Sequence, residues 1–578
     1  MLRPSMLLHK LPLLALCVCG VWGVCGSSHA AALSCADAAA SVAANIPAGG
    51  QSLRITLAAD QATSATAKAH CLIEGSLNER IGKIDGKPYA IKFRMRLPQA
   101  ADWNGKFFQE SVGGSVGMLT PTFGLTSGMT TSAFSRGYTV IMGDSGHDSM
   151  VNTDPKAGGA SAFALDPQAR VDFGHASYDL VARVGKALSR AYYAKDSSRA
   201  YFSACSDGGR QAVGIAQRYP QHFDGILAAA PAVDIPHMTA YVPHLLRTLG
   251  PLARAGGHVD AAGRPLINKV YSNADLQLIS GAVLAACDGL DGLRDGIANH
   301  IEACTDPVVA PHLEALTCRS DKTVSCLSAA QIDAFRRAMA GPKTSTGVQV
   351  YPGHAWDPGI GGMNGTVFNN GFRAFWFGAF DAPGNTATKL TLSAPQAAML
   401  WKTPPLAMTT PEYTDHFMAY DIDDTEASIT RKTADYPQAV VDWGLMNSPD
   451  LSGFKQRGGK MIAWIGNADP AVSPRATVDW YQRVDAREGG QASNFLKLFV
   501  IPGMNHCAGG VATDRFDMLG PLEDWVERGI APQSVPAEAS NPGYFGVASR
   551  SRPLCPYPSW AHHDGRGDIN VAASFSCK

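Results

Sequence analysis

Ala200-Tyr201-Phe202-Ser203-Ala204-Cys205-Ser206-Asp207-Gly208-Gly209-Arg210 is the stretch on which the fold turns. Ala200 to Ser203 reads as a short strand, and Arg210 to Arg218 as a helical run. A sharp strand-to-helix turn between them would lift the Ser206 hydroxyl above a sheet. It would aim the next backbone N–H, that of Asp207, at the same space. Gly208 and Gly209 let such a turn close against neighbouring backbone. The usual pattern is G-x-S-x-G, and here Ala204 replaces the first glycine. Taken singly, the match is no more than a turn serine, and the surrounding segments give it weight.

Upstream, Tyr89 to Arg96, Lys106 to Gln109 and Tyr138 to Met142 have strand character. Ser177 to Tyr193 places Leu180, Val181, Val184, Leu188 and Tyr192 on one helical face. Gly225 to Ala230 is the next buried strand. Strands alternating with helices signify a parallel sheet. After Pro231 the rhythm breaks into helical pieces, glycine-rich loops and a concentration of aromatics: Trp356, Phe372, Phe375, Trp376, Phe377 and Phe380. It returns with Lys460 to Ile465, which runs into Gly466-Asn467-Ala468-Asp469, and with Phe495 to Ile501, which runs into Pro502-Gly503-Met504-Asn505-His506. The pattern predicts an α/β fold, an α/β-hydrolase core in two parts, 33–234 and 456–578, with a lid domain inserted over 235–455.

Chain order singles out the chemistry. In α/β-hydrolases the acid and then the base follow the serine, each on a loop after a later strand. Asp469 and His506 occupy those places. His506 can take the Ser206 proton, and Asp469 can hold the imidazole tautomer. Cys205 adjoins Ser206 and Cys507 adjoins His506, so a triad would bring these cysteines within disulfide range.

The 578 residues bound the alternatives. Net charge is 49 − 50 = −1, which leaves no basic excess for a nucleic acid partner. Residues 1–32 read as a secretory signal: Arg3, His9 and Lys10 form the head, and Leu11 to Val24 the apolar core. Cys25 just after that core admits a lipoprotein signal, against which Val24 argues, being larger than such sites favour. Beyond it no apolar run reaches membrane-spanning length. A secreted or periplasmic location follows. Of 13 cysteines, ten remain once Cys17, Cys19 and Cys25 are removed with the signal. An even number in an exported chain suggests disulfides. Cys287/Cys304, Cys318/Cys326 and Cys555/Cys577 are local pairs and Cys35/Cys71 a further candidate, but spacing alone does not determine connectivity.

Ala204-Cys205-Ser206-Asp207-Gly208-Gly209-Arg210, together with Gly503-Met504-Asn505-His506-Cys507, resembles the tannase/feruloyl esterase family. The resemblance extends over nearly the whole chain after residue 35. It implies an exported serine esterase, with Ser206 as nucleophile, Asp469 as acid, His506 as base and five cystines including Cys205–Cys507. Asp288-Gly289-Leu290-Asp291-Gly292-Leu293-Arg294-Asp295-Gly296-Ile297 offers hard oxygen donors and no histidine, which points to Ca²⁺. The resemblance implies a structural calcium held by the Asp288, Asp291 and Asp295 side chains with the Leu293 and Ile297 carbonyls.

Gly113, in the turn after Phe108, is the second oxyanion candidate beside the Asp207 N–H, although Ser111-Val112 stand where relatives carry glycine-type residues. Ala471 and Val472, just after Asp469, are expected to line the acyl side of the cleft. Arg373 is a candidate to grip a substrate carboxylate, which would favour terephthalate-like half-esters; the plainer reading is a salt bridge in the lid. The expected activity is hydrolysis of esters of aromatic carboxylic acids, of feruloyl, galloyl or terephthalate half-ester type, through an acyl-enzyme. An acyltransferase on the same triad and a non-catalytic binding module are the alternatives. The partner is a small aromatic ester; the sequence does not specify an oligomeric state.

Overall fold

The computed structural model describes residues 33–45, 52–125, 127–128, 130–361 and 371–578. The signal reading of 1–32, Cys25 included, lies outside the described residues. The central sheet has nine strands: β1 (Leu53–Gln61), β2 (His70–Ile81), β3 (Pro88–Pro98), β4 (Lys106–Glu110), β5 (Thr139–Gly143), β6 (Arg199–Cys205), β7 (Gly225–Ala229), β8 (Lys460–Gly466) and β9 (Leu496–Ile501). Their spatial order is β1-β2-β3-β5-β4-β6-β7-β8-β9. Pairing is antiparallel from β1 through β3 to β5, and parallel from β5 to β9.

The short strands are mostly apolar because both faces of the sheet are covered. Phe202 and Ala204 of β6, Ile226 and Ala228 of β7, Met461 and Ala463 of β8, and Leu496 and Leu498 of β9 face one core. Val181, Val184 and Leu188 of the helix Ser177–Tyr193 close it, with Val213 of Asp207–Arg218 and Trp480 of Pro474–Arg487. The alternate residues Tyr201, Leu227, Ile462, Trp464 and Phe499 face the other core, against Leu519, Leu522 and Trp525 of the helix Leu519–Arg528. The period of two along each strand thus feeds two separate apolar layers.

β7 ends at Ala229 and β8, its parallel neighbour, begins at Lys460. The intervening insert contributes helices and no strand among the described residues. Its apolar side chains, including Trp356, Trp376 and Trp401, form a third core that reaches Ile465, Ala471 and Val472. Five disulfides join Cys35–Cys71, Cys205–Cys507, Cys287–Cys304, Cys318–Cys326 and Cys555–Cys577. These are the pairs that the resemblance implied. β1 and β2 have no counterpart in the strands read from the sequence. β1 alternates between half-buried and exposed residues at the sheet edge, so its pattern is polar and weak.

Ile226 is fully buried at the middle of the sheet. Ile226→Ala is expected to lower unfolding free energy by about 2–5 kcal/mol in urea titration. Val571→Ala, at an exposed site, should change it by less than about 0.5 kcal/mol.

Candidate active site

Because β6, β8 and β9 run parallel, the loops that leave their carboxyl ends emerge on one edge of the sheet. Ser206 follows β6, Asp469 follows β8 and His506 follows β9. His506 Nε2 lies 2.8 Å from Ser206 Oγ, and its Nδ1 lies 2.8 Å from Asp469 Oδ2. The buried carboxylate takes the Nδ1–H, which leaves Nε2 to accept the serine hydroxyl. The second carboxylate oxygen, Asp469 Oδ1, accepts the backbone N–H groups of Ala471 at 2.8 Å and Val472 at 3.0 Å.

Ser206 sits at φ 68°, ψ −123°, in the positive-φ region that side chains rarely occupy. The strained turn is held by close packing. A Cβ on Gly209 would lie 2.2 Å from the Ala229 carbonyl, and one on Gly208 would lie 2.6 Å from Ala204 Cβ. Glycines are required at both places so that the helix can start directly beneath β7. The Asp207 side chain turns inward to Arg210 Nε at 2.7 Å and Gln211 Nε2 at 2.6 Å. Burial raises the carboxyl's pKa while Arg210 opposes the shift. Asp207 is the first residue of its helix, where a backbone N–H has no intrahelical acceptor. A Cβ at Gly113 would stand 2.7 Å from Ser206 Cβ and 3.2 Å from its Oγ. The glycine loop therefore lies against Ser206. Cys205 and Cys507 join beside the pair, with Cα atoms 6.1 Å apart.

The chain matches the family described as "Tannase and feruloyl esterase" over residues 77–578. The chain belongs to the tannase and feruloyl esterase family. It is a carboxylic ester hydrolase with an α/β-hydrolase fold. Mono(2-hydroxyethyl) terephthalate hydrolase of Piscinibacter sakaiensis is 44% identical over 524 residues, covering 89% of this chain and 86% of that one. A probable feruloyl esterase of Arthroderma benhamiae is 30% identical over 500 residues, covering 83% and 81%. The crystal structure of feruloyl esterase B from Aspergillus oryzae superposes with a TM-score of 0.69 at 20% identity, over 94% of this chain and 99% of that one. Tannin acyl hydrolase from Aspergillus niger gives 0.62 at 18% identity, over 95% and 96%. At these identities the two structures establish the fold.

Other sequence expectations for this family member need correction or sharpening. Arg373 is buried within the insert. Its Nη2 donates to the Tyr271 carbonyl at 2.7 Å and its Nη1 to that of Gly378 at 3.4 Å. The guanidinium is engaged by backbone oxygens, so its placement matches neither a carboxylate grip nor a salt bridge. Burial pulls it down to about 10. Ala471 and Val472 meet the site first through their amides on Asp469, and both side chains are buried. Phe375 is the insert aromatic that reaches the triad, its ring edge-on to His506 at 5.3 Å between centroids.

The acidic loop 288–297 is folded on itself. Asp288 Oδ1 accepts from Gly296 N at 2.9 Å, and Asp291 Oδ2 from Asn299 N at 2.9 Å. The Asp295 carboxylate pairs with Arg552, and with Arg550 at 3.4 Å. Among the described residues no three His, Cys, Asp or Glu side chains form a metal cluster.

Three supporting residues carried no sequence signal. Asp357 Oδ2 accepts from Asn467 Nδ2 at 2.9 Å and from Gly503 N at 3.0 Å, which ties the acid and base loops together. His354 Nδ1 lies 2.8 Å from the Asp469 carbonyl, and Lys389 Nζ donates to the Ala471 carbonyl at 3.0 Å. Burial pulls Lys389 down to about 8, against the attraction of Asp469.

A methyl group at position 113 has no room beside Ser206. Gly113→Ala is expected to cut kcat for a p-nitrophenyl ester by about 100-fold or more, with circular dichroism unchanged.

Proposed function

We propose that this protein is an exported serine carboxylesterase acting on esters of aromatic carboxylic acids. The observation that carries the reading is the continuous relay Ser206–His506–Asp469, with two 2.8 Å steps and Gly113 packed against the nucleophile. His506 deprotonates Ser206 as its oxygen attacks the ester carbonyl. The N–H groups of Asp207 and Gly113 stabilise the oxyanion, a contribution of about 3–4 kcal/mol per donor in comparable sites. The imidazolium returns the proton to the departing alcohol. Water, deprotonated by His506, then releases the acid from Ser206. Asp469 orients the ring and balances its transient charge.

An aromatic acyl group is supported by Phe375 beside His506 and by the aromatic substrates named in the relatives. A terephthalate half-ester is favoured by the 44% relative, and feruloyl and galloyl esters are the alternatives. Export is supported by five disulfides, which an oxidising compartment permits. No helix among the described residues is long and apolar enough to cross a membrane.

The purified protein should release acid from at least one of the terephthalate, feruloyl and galloyl esters faster than from an aliphatic ester of equal leaving group. Ser206→Ala should lower kcat by about 10,000-fold or more. Preference for the aliphatic ester would remove the aromatic assignment, and a surviving Ser206→Ala activity would remove the triad.

The loop 288–297 fits a hard divalent cation by donor type, since its side-chain and carbonyl donors are all oxygen. The proposed ligands remain Asp288, Asp291, Asp295, and the Leu293 and Ile297 carbonyls, with Ca²⁺ bracing the insert. Asp295 would then share its carboxylate with Arg550 and Arg552. Chelation by EDTA is expected to lower the melting temperature by several degrees, restored by Ca²⁺ and not by Mg²⁺. An unchanged melting curve would argue against a bound ion.

A further inference from the structure

The loop carrying the acid is gripped by the insert at three consecutive carbonyls. His354 Nδ1 meets the oxygen of Asp469 at 2.8 Å, Trp376 Nε1 that of Pro470 at 2.9 Å, and Lys389 Nζ that of Ala471 at 3.0 Å. All three side chains are buried. The third contact stands out chemically. A buried ammonium is costly unless something compensates it. Among the described residues, Lys389 has the Ala471 carbonyl as its one hydrogen-bond acceptor and the Tyr241 ring at 5.5 Å, with the Asp469 charge nearby. From Lys389 the contacts run unbroken to the nucleophile. Its ammonium bonds the Ala471 carbonyl, the Ala471 N–H bonds Asp469 Oδ1, Asp469 Oδ2 takes His506 Nδ1–H, and His506 Nε2 takes Ser206 O–H.

We propose that Lys389 is a positioning residue for the hydrolysis, which fixes the loop whose amides orient the Asp469 carboxylate and supplies the positive charge that keeps that carboxylate in its polar frame. Trp376 assists through the neighbouring carbonyl. The insert thereby sets the geometry of the core's acid in addition to covering the edge of the sheet. This inference rests on Ser206, His506 and Asp469 acting as the triad.

The test uses the full chain with Lys389→Met, which keeps an unbranched apolar stem and removes donor and charge. Trp376→Phe, which removes one N–H, and Ser206→Ala run in parallel. With a p-nitrophenyl ester, Lys389→Met is expected to lose about 10-fold or more in kcat with KM within about two-fold. Trp376→Phe should show the same split at smaller size. The low-field proton resonance of His506 Nδ1–H should shift or broaden in both. An unchanged kcat, a rise in KM alone, or a lower kcat with an unmoved resonance would overturn the proposal. A rise in KM alone would mean that Lys389 contacts substrate. Should Lys389→Met not fold, Trp376→Phe decides by the same criteria. Turnover surviving in Ser206→Ala would sink the triad itself; an inactive Ser206→Ala beside an unimpaired Lys389→Met would sink only the role given to Lys389.

Discussion

The hydrogen bond between His506 Nδ1 and the buried Asp469 carboxylate is the constraint on which the site depends. It fixes which imidazole nitrogen faces Ser206, and a neutral ring with the wrong tautomer would offer the serine a donor instead of an acceptor. The bond in turn requires that loops separated by 37 residues converge, and that the serine, 300 residues before the histidine, meet the same ring. Parallel pairing of β6, β7, β8 and β9 meets that requirement, since it gathers the carboxyl ends of the strands on one edge.

Convergence has a cost that the structure offsets locally. Ser206 at φ 68° and Cys507 at φ 64° both occupy left-handed backbone, which disfavours side chains by about 1–3 kcal/mol each. The disulfide between Cys205 and Cys507 closes a separation of 302 residues. In the chain-entropy picture such a link contributes about 4–5 kcal/mol, of the same order as the strain at Ser206 and Cys507 together. The bond thus acts at a strained part of the backbone, and it keeps Ser206 and His506 within reach of each other.

The sequence carried those features that depend on local pattern or on chain order. The helix Ser177–Tyr193 was legible because five apolar residues share one face, and the central strands because both faces are buried. The convergence of Ser206, Asp469 and His506 was legible because each lies on a loop that follows a strand. Gly113 could be placed because a glycine turn follows β4. What escaped depends on tertiary contact alone. Asp357, His354 and Lys389 belong to no motif, and their roles arise from meeting loops more than 80 residues away. Arg373 shows the converse. An arginine amid aromatics suggests a ligand, yet burial gave its guanidinium to two carbonyls of the insert. β1 was missed because an edge strand need not be uniformly apolar.

The insert leaves the core after β7 and returns at β8, so both of its ends lie among the strands that carry the triad. A chain departing there must pass over the carboxyl edge of the sheet, and its side chains are obliged to pack against the catalytic loops. Asp357 exploits this by accepting from Asn467 on one loop and Gly503 on the other. Its carboxyl is buried, which raises its pKa, and three donors counter that cost. Loops of this length would otherwise be the softest part of the molecule. Fixing them through an insert couples catalytic geometry to the same element that shapes the cleft, so changes in the insert that alter substrate fit must also preserve the bonds to 467, 469, 470, 471 and 503. That coupling narrows where specificity can vary. Residues such as Phe375, whose ring meets His506 edge-on, are freer to change than His354, Asp357, Trp376 or Lys389, whose polar atoms hold the frame.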